Sequence, residues 1–140
     1  MTAGELKERY RVIATKQAKS AGKKLLGEKD RLWLIRELIT LKYWPDNAND
    51  FDHEKVYGAI KFDFYLEQKW IRVFVVQDDV RKVMWVVRAF AKKTNQLTTA
   101  QQISVQTAVG QIRQEIKVVE KRQKQLDPRT QMRVIEGGRK

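Results

Sequence analysis

The clearest pattern in the chain is a strict alternation over residues 60–66. Ile60, Phe62, Phe64 and Leu66 are separated by Lys61, Asp63 and Tyr65. A period of two predicts a strand with one dry face and one wet face. The run Trp70 to Val76 is apolar almost throughout, which suits a more central strand, and Val83 to Phe90 repeats the theme. Short polar breaks at Glu67-Gln68-Lys69 and Gln77-Asp78-Asp79 join the three into an antiparallel meander.

Helical periodicity flanks the meander. Leu32, Trp33, Ile35, Leu38, Ile39 and Leu41 recur at spacings of three and four. They predict a helix with a buried stripe that begins after a capping Asp30 and ends before Pro45. A shorter helix is expected over Ser20 to Leu26, within a Lys-rich stretch. The β-forming residues Glu8 to Thr15 are expected to form a first strand. Residues 46–55 are polar and turn-prone and read as a loop. Thr98 or Thr99 can cap a last helix whose Val105, Val109, Ile112, Ile116 and Val119 share one face, with Gly110 a weak point inside it. The expected architecture is α+β. It has the order β-α-α-β-β-β-α, a small twisted and mainly antiparallel sheet, the helices on one face and the other face partly open. Residues 1–126 form the expected domain, and 127–140 a flexible basic tail.

Charge changes this picture. The 140 residues carry 29 Lys+Arg against 17 Asp+Glu, a formal net charge of +12. Residues 1–31 and 111–140 are each net +5, and the stretch between them is nearly balanced. Such a field attracts polyanions; solubility alone is the other reading. Cysteine is absent, so disulfides and thiolate metal sites are excluded. No run approaches the roughly 18 apolar residues of a membrane span. No signal-peptide pattern opens the chain, and a cytoplasmic location is expected.

Most familiar catalytic sets are missing. His53 is the one histidine, so paired-His chemistry is ruled out, and a loop role suits it better than catalysis. There is no Gly-rich phosphate loop and no nucleophile elbow. Asp46, Asp50, Asp52 and Glu54 lack the spacing of a calcium loop. No metal and no cofactor is expected. Basic and aromatic residues on a sheet remain, and these neutralise phosphate and stack on bases. Trp33 and Trp85 are expected in the core; Trp44 and Trp70, near element ends, are expected in core or rim packing, with surface stacking the alternative.

Three segments carry a family resemblance. Gly58-Ala59-Ile60-Lys61-Phe62-Asp63-Phe64 resembles the Gly-Leu-Trp-Glu-Leu-Arg strand of the RelE/ParE toxin superfamily, in its HigB-like, phage-derived branch. Ile71-Arg72-Val73-Phe74 resembles that branch's Tyr-Arg-Val-Leu strand. Arg88-Ala89-Phe90-Ala91-Lys92-Lys93-Thr94 resembles its His-Gly-Phe-Val-Lys-Lys-Thr segment. The likeness extends over roughly residues 8–120 and implies a RelE-like fold. It also implies a type II toxin that cuts messenger RNA on the ribosome without a metal, silenced by a cognate antitoxin of helix-turn-helix, HigA-like type in a hetero-oligomer.

The resemblance places Lys61, Arg72, Lys92 and Lys93 at the family's catalytic basic positions, with Lys61 the candidate base and Arg72 the phosphate-holding arginine. It offers Arg88, Tyr65 and Lys69 as RNA contacts. This sequence departs from the pattern at Asp63, where the family has arginine, and at Ile71, where it has tyrosine. The prolines that follow Lys-Lys-Thr in the family are absent. A carboxylate at 63 repels phosphate unless a neighbour such as Lys61 pairs with it. Without the family, Lys61 is a solvated lysine, Arg72 a structural ion pair and Lys92-Lys93 a charged strand end. ParE-like inhibition of DNA gyrase and non-catalytic nucleic-acid binding by a phage accessory protein stand as alternative functions.

Overall fold

The computed structural model describes residues 6–66 and 68–126. The tail expected from residue 127, and Glu67 of the expected turn, lie outside the described residues.

The strands are β1 (Arg11–Ala14), β2 (Asp52–Val56), β3 (Ala59–Leu66), β4 (Lys69–Asp78) and β5 (Val83–Lys92); the helices are α1 (Lys16–Leu25), α2 (Glu28–Ile39) and α3 (Thr99–Gln125). They build a mixed α+β fold around one five-stranded sheet in the order β1-β5-β4-β3-β2. All neighbours are antiparallel except β1, which runs parallel to β5. The meander therefore forms where the alternation places it. Among the described residues no helix is long and apolar enough to cross a membrane.

Three expectations need correction. The first concerns the loop at 46–55. Its second half is an edge strand, β2, paired with β3 from Asp52 opposite Asp63 to Val56 opposite Ala59. DHEKV shows no apolar alternation because an edge strand over solvent buries little. Its pairing is set instead by the two residues that turn the chain. Tyr57 (φ 55°) and Gly58 (φ 83°) both take the left-handed conformation that a two-residue hairpin loop requires.

The second correction is that the helices lie on both faces. Ile71, Val73 and Val75 of β4 join Ile60, Phe62, Phe64 and Leu66 in a core closed by Ala18, Leu34, Leu38 and Leu41. Phe74 and Val76 point the other way, into a second core with Val87 and with Val105, Ala108, Val109 and Ile112 of α3. A strand apolar on both sides needs cover on both sides. A bulge opposite Phe74/Val75 lets β5 serve both cores. It leaves Val87 as the extra residue and shifts the side-chain alternation from there on.

The third concerns α2. Leu34, Leu38 and, just beyond the helix, Leu41 are buried, but Leu32, Trp33, Ile35 and Ile39 are exposed. Apolar residues surround this helix, and a sheet covers only one stripe of it. Trp33 therefore touches the core only edge-on, its ring centroid 6.3 Å from that of Phe64. Trp44 is buried, and Trp85 is partly buried with its Nε1 donating to Asp78 Oδ2 at 3.1 Å.

The caps explain where the helices start. Thr15 accepts from the Ala18 backbone N–H and so begins α1 at Lys16, four residues before the expected start. Gly27 caps α2, which puts Asp30 in its first turn rather than at the cap. Thr98 makes a reciprocal capping box with Gln101 and begins α3.

Candidate functional site

The wet side of β3 faces the same way as α3. In register across β3, β4 and β5 on this face stand three rows: Tyr65, Trp70 and Lys92; Asp63, Arg72 and Phe90; Lys61, Phe74 and Arg88. The third row is closed over by α3, and Phe74 is fully buried. The first row is open, with Tyr65 56% and Trp70 41% exposed. Their ring centroids are 5.1 Å apart, and Lys92 Nζ lies 5.4 Å from the Trp70 ring centroid. The face thus grades from an open aromatic end to a covered end.

The charges centre on the middle row, at Asp63. Lys61, Arg72 and Lys92 come from three strands and converge on Asp63. Lys92 Nζ is 3.4 Å and Lys61 Nζ 3.6 Å from Asp63 Oδ2, and Arg72 Nε is 3.8 Å from Asp63 Oδ1. The Arg72–Asp63 contact is an ion pair too long for a hydrogen bond; neither of those two atoms has a hydrogen-bond partner among the described residues. Arg72 is only 2% exposed. Its Nη2 donates to the Thr94 carbonyl at 2.9 Å, which ties the chain leaving β5 to the centre of the sheet. From the edge strand, Glu54 reaches Lys61 at 3.7 Å. The missed strand β2 thus brings a second carboxylate to this face, and local net charge falls to about that of one cation. A cavity of about 420 Å³ opens here between Glu54, Lys61, Arg72 and the loop Asn95–Leu97.

The other candidates separate from this cluster. Lys93 follows Lys92 by one residue, so the alternation turns it away; it is exposed and lines a different groove with Lys16 and Lys24. Arg88 spends its guanidinium inward, Nε donating to Ser104 Oγ at 2.7 Å and Nη1 to the Val87 carbonyl at 2.8 Å. Burial lowers its pKa from the ordinary arginine value. Lys69 donates to the Leu25 carbonyl at the end of α1 at 2.9 Å. His53 lies on β2, its Nδ1 3.0 Å from the Phe51 carbonyl and its ring 5.0 Å from that of Trp44. Among the described residues no group of three or more His, Cys, Asp or Glu side chains is placed to hold a metal ion.

Sequence reasoning missed Glu54 as a partner of Lys61, and Lys16 and Lys24 as groove residues, because these depend on pairings that only the folded chain makes. Trp70, whose place near a strand end left surface stacking open beside core or rim packing, is exposed. No protein-family model matches the chain, and no curated protein sequence matches it.

Proposed function

We propose that this protein binds single-stranded RNA over the open aromatic and basic end of its sheet and cuts messenger RNA on the ribosome, as a toxin resembling the RelE/HigB type. The observation that carries this reading is the meeting of Lys61, Arg72 and Lys92, residues from three strands, beside the exposed pair Tyr65 and Trp70. Aromatic faces stack on bases and cations neutralise phosphate. The order of strands and helices, with β2 added, is compatible with the RelE-like plan.

The reaction is transfer of a phosphate bond within the RNA. The ribose 2′-oxygen attacks the adjacent phosphorus, the bond from phosphorus to the 5′-oxygen breaks, and a cyclic phosphate and a 5′-hydroxyl result. A base takes the 2′-proton, an acid gives one to the leaving oxygen, and cations stabilise the charge that builds on the phosphorane. Lys61 is the base in this reading. Lys92, beside the open Trp70 ring, protonates the leaving oxygen. Arg72 is enclosed and acts by positioning, holding Asp63 and the Thr94 carbonyl.

The test is cleavage of a defined message on programmed ribosomes, read at the 5′ ends of the products. The Lys61→Ala, Lys92→Ala double variant is expected to lose on the order of 10²–10³ in rate. Full cleavage by that variant would remove both residues from the reaction. One observation favours a second reading, binding without cleavage: Asp63 and Glu54 occupy the lysines as ion-pair partners. Wild-type protein that binds the message but leaves it whole decides for that reading, and inhibition of gyrase supercoiling decides for the ParE-like one.

A cognate antitoxin belongs to the same proposal. The exposed Ile35 and Ile39 of α2 line an apolar groove of about 510 Å³ with Lys19, Lys23 and Arg31 at its rim. An acidic amphipathic segment fits such a surface. Ile35→Asp with Ile39→Asp should leave toxicity intact and abolish rescue of growth by the product of a neighbouring gene. Undiminished rescue would place the partner elsewhere.

A further inference from the structure

A second groove is larger than the cavity that holds Lys61. It lies at the end of the sheet, between α1, the last residues of β5 and the start of α3, with a volume of about 920 Å³. Its rim carries Lys16 and Lys24 of α1 and, across from them, Lys93. None of its lining residues is acidic, and these three lysines make no ion pair among the described residues. That distinguishes them from Lys61 and Lys92, which are engaged with carboxylates. Cations left without partners around a concave surface focus a positive field into it.

The floor has a different character. Between the lysines its lining includes Ser20 and Ala21 of α1 and Ala89 and Ala91 of β5, all small side chains, together with Leu25 and Phe90. A planar ring can approach the backbone closely over such a floor. The volume falls within the roughly 300–1,000 Å³ of sites for drug-sized ligands, which is the size of a nucleotide. An apolar floor under a ring of cations suits a base flanked by phosphates.

The groove also leads to the charge cluster. Arg72 and Gln96 line both this groove and the smaller cavity beside Lys61. We infer that the groove is a nucleotide-binding subsite for single-stranded RNA, with a base over Ser20, Ala21, Ala89 and Ala91 and neighbouring phosphates on Lys16, Lys24 and Lys93. This rests on the RNA-binding reading above and extends it, because it gives Lys93 a binding role apart from Lys61 and Lys92.

The experiment uses the full chain and a fluorescein-labelled single-stranded RNA of twelve nucleotides, about the size of a site with several phosphate contacts, followed by anisotropy from low to high salt. The Lys16→Ala, Lys24→Ala, Lys93→Ala variant should bind at least about tenfold more weakly. Its salt slope should be shallower by about two, because each phosphate that goes unneutralised takes about 0.7 from the slope. An equal reduction of charge at the exposed Lys117, Lys121 and Lys124 of α3 should weaken binding by less than about twofold, since salt screens charges that lie far from the ligand. Ser20→Trp, an exposed position that fills the groove, should weaken binding about tenfold with the slope unchanged, since it removes no cation. Equal effects of the two triple variants in chains that melt like the wild type would overturn the subsite and leave RNA binding standing. So would tighter binding of duplex DNA, whose bases cannot enter the groove, or competition by polyglutamate as effective as that by unlabelled RNA. No binding of RNA by the wild-type chain at any salt would remove the RNA-binding reading and the subsite with it.

Discussion

Asp63 is where structure and chemistry pull against each other. Its side chain is 6% exposed and faces three cations at 3.4–3.8 Å. A buried carboxylate in such company holds the cations in place, and removing one partner of a buried pair typically costs about 3–5 kcal/mol. Here the loss should be smaller, about 2 kcal/mol, because Lys61 and Lys92 retain some exposure and can turn to water. The same carboxylate repels phosphate. Asp63→Asn should therefore lower the urea midpoint while tightening the binding of single-stranded RNA at low salt. A variant that is less stable and also binds RNA more weakly would show that Asp63 organises the site rather than opposing the ligand. Arg72 offers no such clean test, since Arg72→Ala removes the donor to Thr94 along with a cation, and stability and function would fall together.

Short turns decide the outer part of the sheet. β2 has almost no apolar residue of its own and is aligned by the hairpin Tyr57–Gly58. At Gly58 a side chain would meet both a φ of 83° and the Arg113 and Val109 side chains of α3. Gly58→Ala should thus destabilise the protein by about 1–3 kcal/mol, the usual range for a strained non-glycine backbone. It should also loosen Glu54 from Lys61, since both sit across this hairpin. Thermal melting measures the first effect, and backbone amide exchange on residues 52–56 the second. A melting point unchanged from the wild type would show that α3 gives way at that position without cost. The turn from β4 to β5 is held differently: buried Asp78 accepts from the backbone N–H groups of Val80 and Arg81, from Arg81 Nε and from Trp85 Nε1. Burial alone would raise its pKa, but those donors outweigh burial and leave it below the ordinary carboxylate value.

On the scale of the whole molecule, the N-terminal strand must be fastened to a partner far along the chain, since β1 pairs with β5, Arg11 opposite Val83. Tyr10 does this from just before β1. Its hydroxyl donates to Asp79 and accepts from Gln77 Nε2 at 2.7 Å. Burial first, then the hydrogen bond to Asp79 and that carboxylate's charge, push the phenol up to about 12 from 10.0. A folded pKa above the unfolded one means that the proton stabilises the fold. This contribution is complete below pH 10 and is lost as the pH rises towards 12. In an ultraviolet titration, one of the four tyrosines should ionise late, and stability should decline through that window. In Tyr10→Phe the late tyrosine should vanish and the decline should flatten. A Tyr10 that ionises near its ordinary 10.0 would show that the clamp does not hold in solution.

The sequence by itself determined the elements whose partners are close along the chain. The alternation of Ile60, Phe62, Phe64 and Leu66, the apolar runs of β4 and β5, the Thr98 cap and the Val105–Val109–Ile112 stripe all follow from local periodicity and capping, and each is found in place. Of the candidate site, Lys61 was legible on the wet face of its strand, because a period of two fixes the side on which a side chain lies, whereas Arg72 and Lys92 were singled out by the family resemblance and their meeting with Lys61 at Asp63 by the fold. The tertiary structure decided the rest. Whether a face is wet depends on what comes to cover it: α3 crossed to the second face because β4 is apolar on both sides, and the wet face of β3 became half-enclosed. Which face of α2 is buried depends on the sheet beneath it, since its apolar residues lie all round. The pairing of β2, with Glu54 beside Lys61, and the groove that unites Lys16, Lys24 and Lys93 join residues that are far apart in the sequence or lie on different strands. No local pattern encodes such contacts, because they arise from strand register and packing, which involve the chain as a whole.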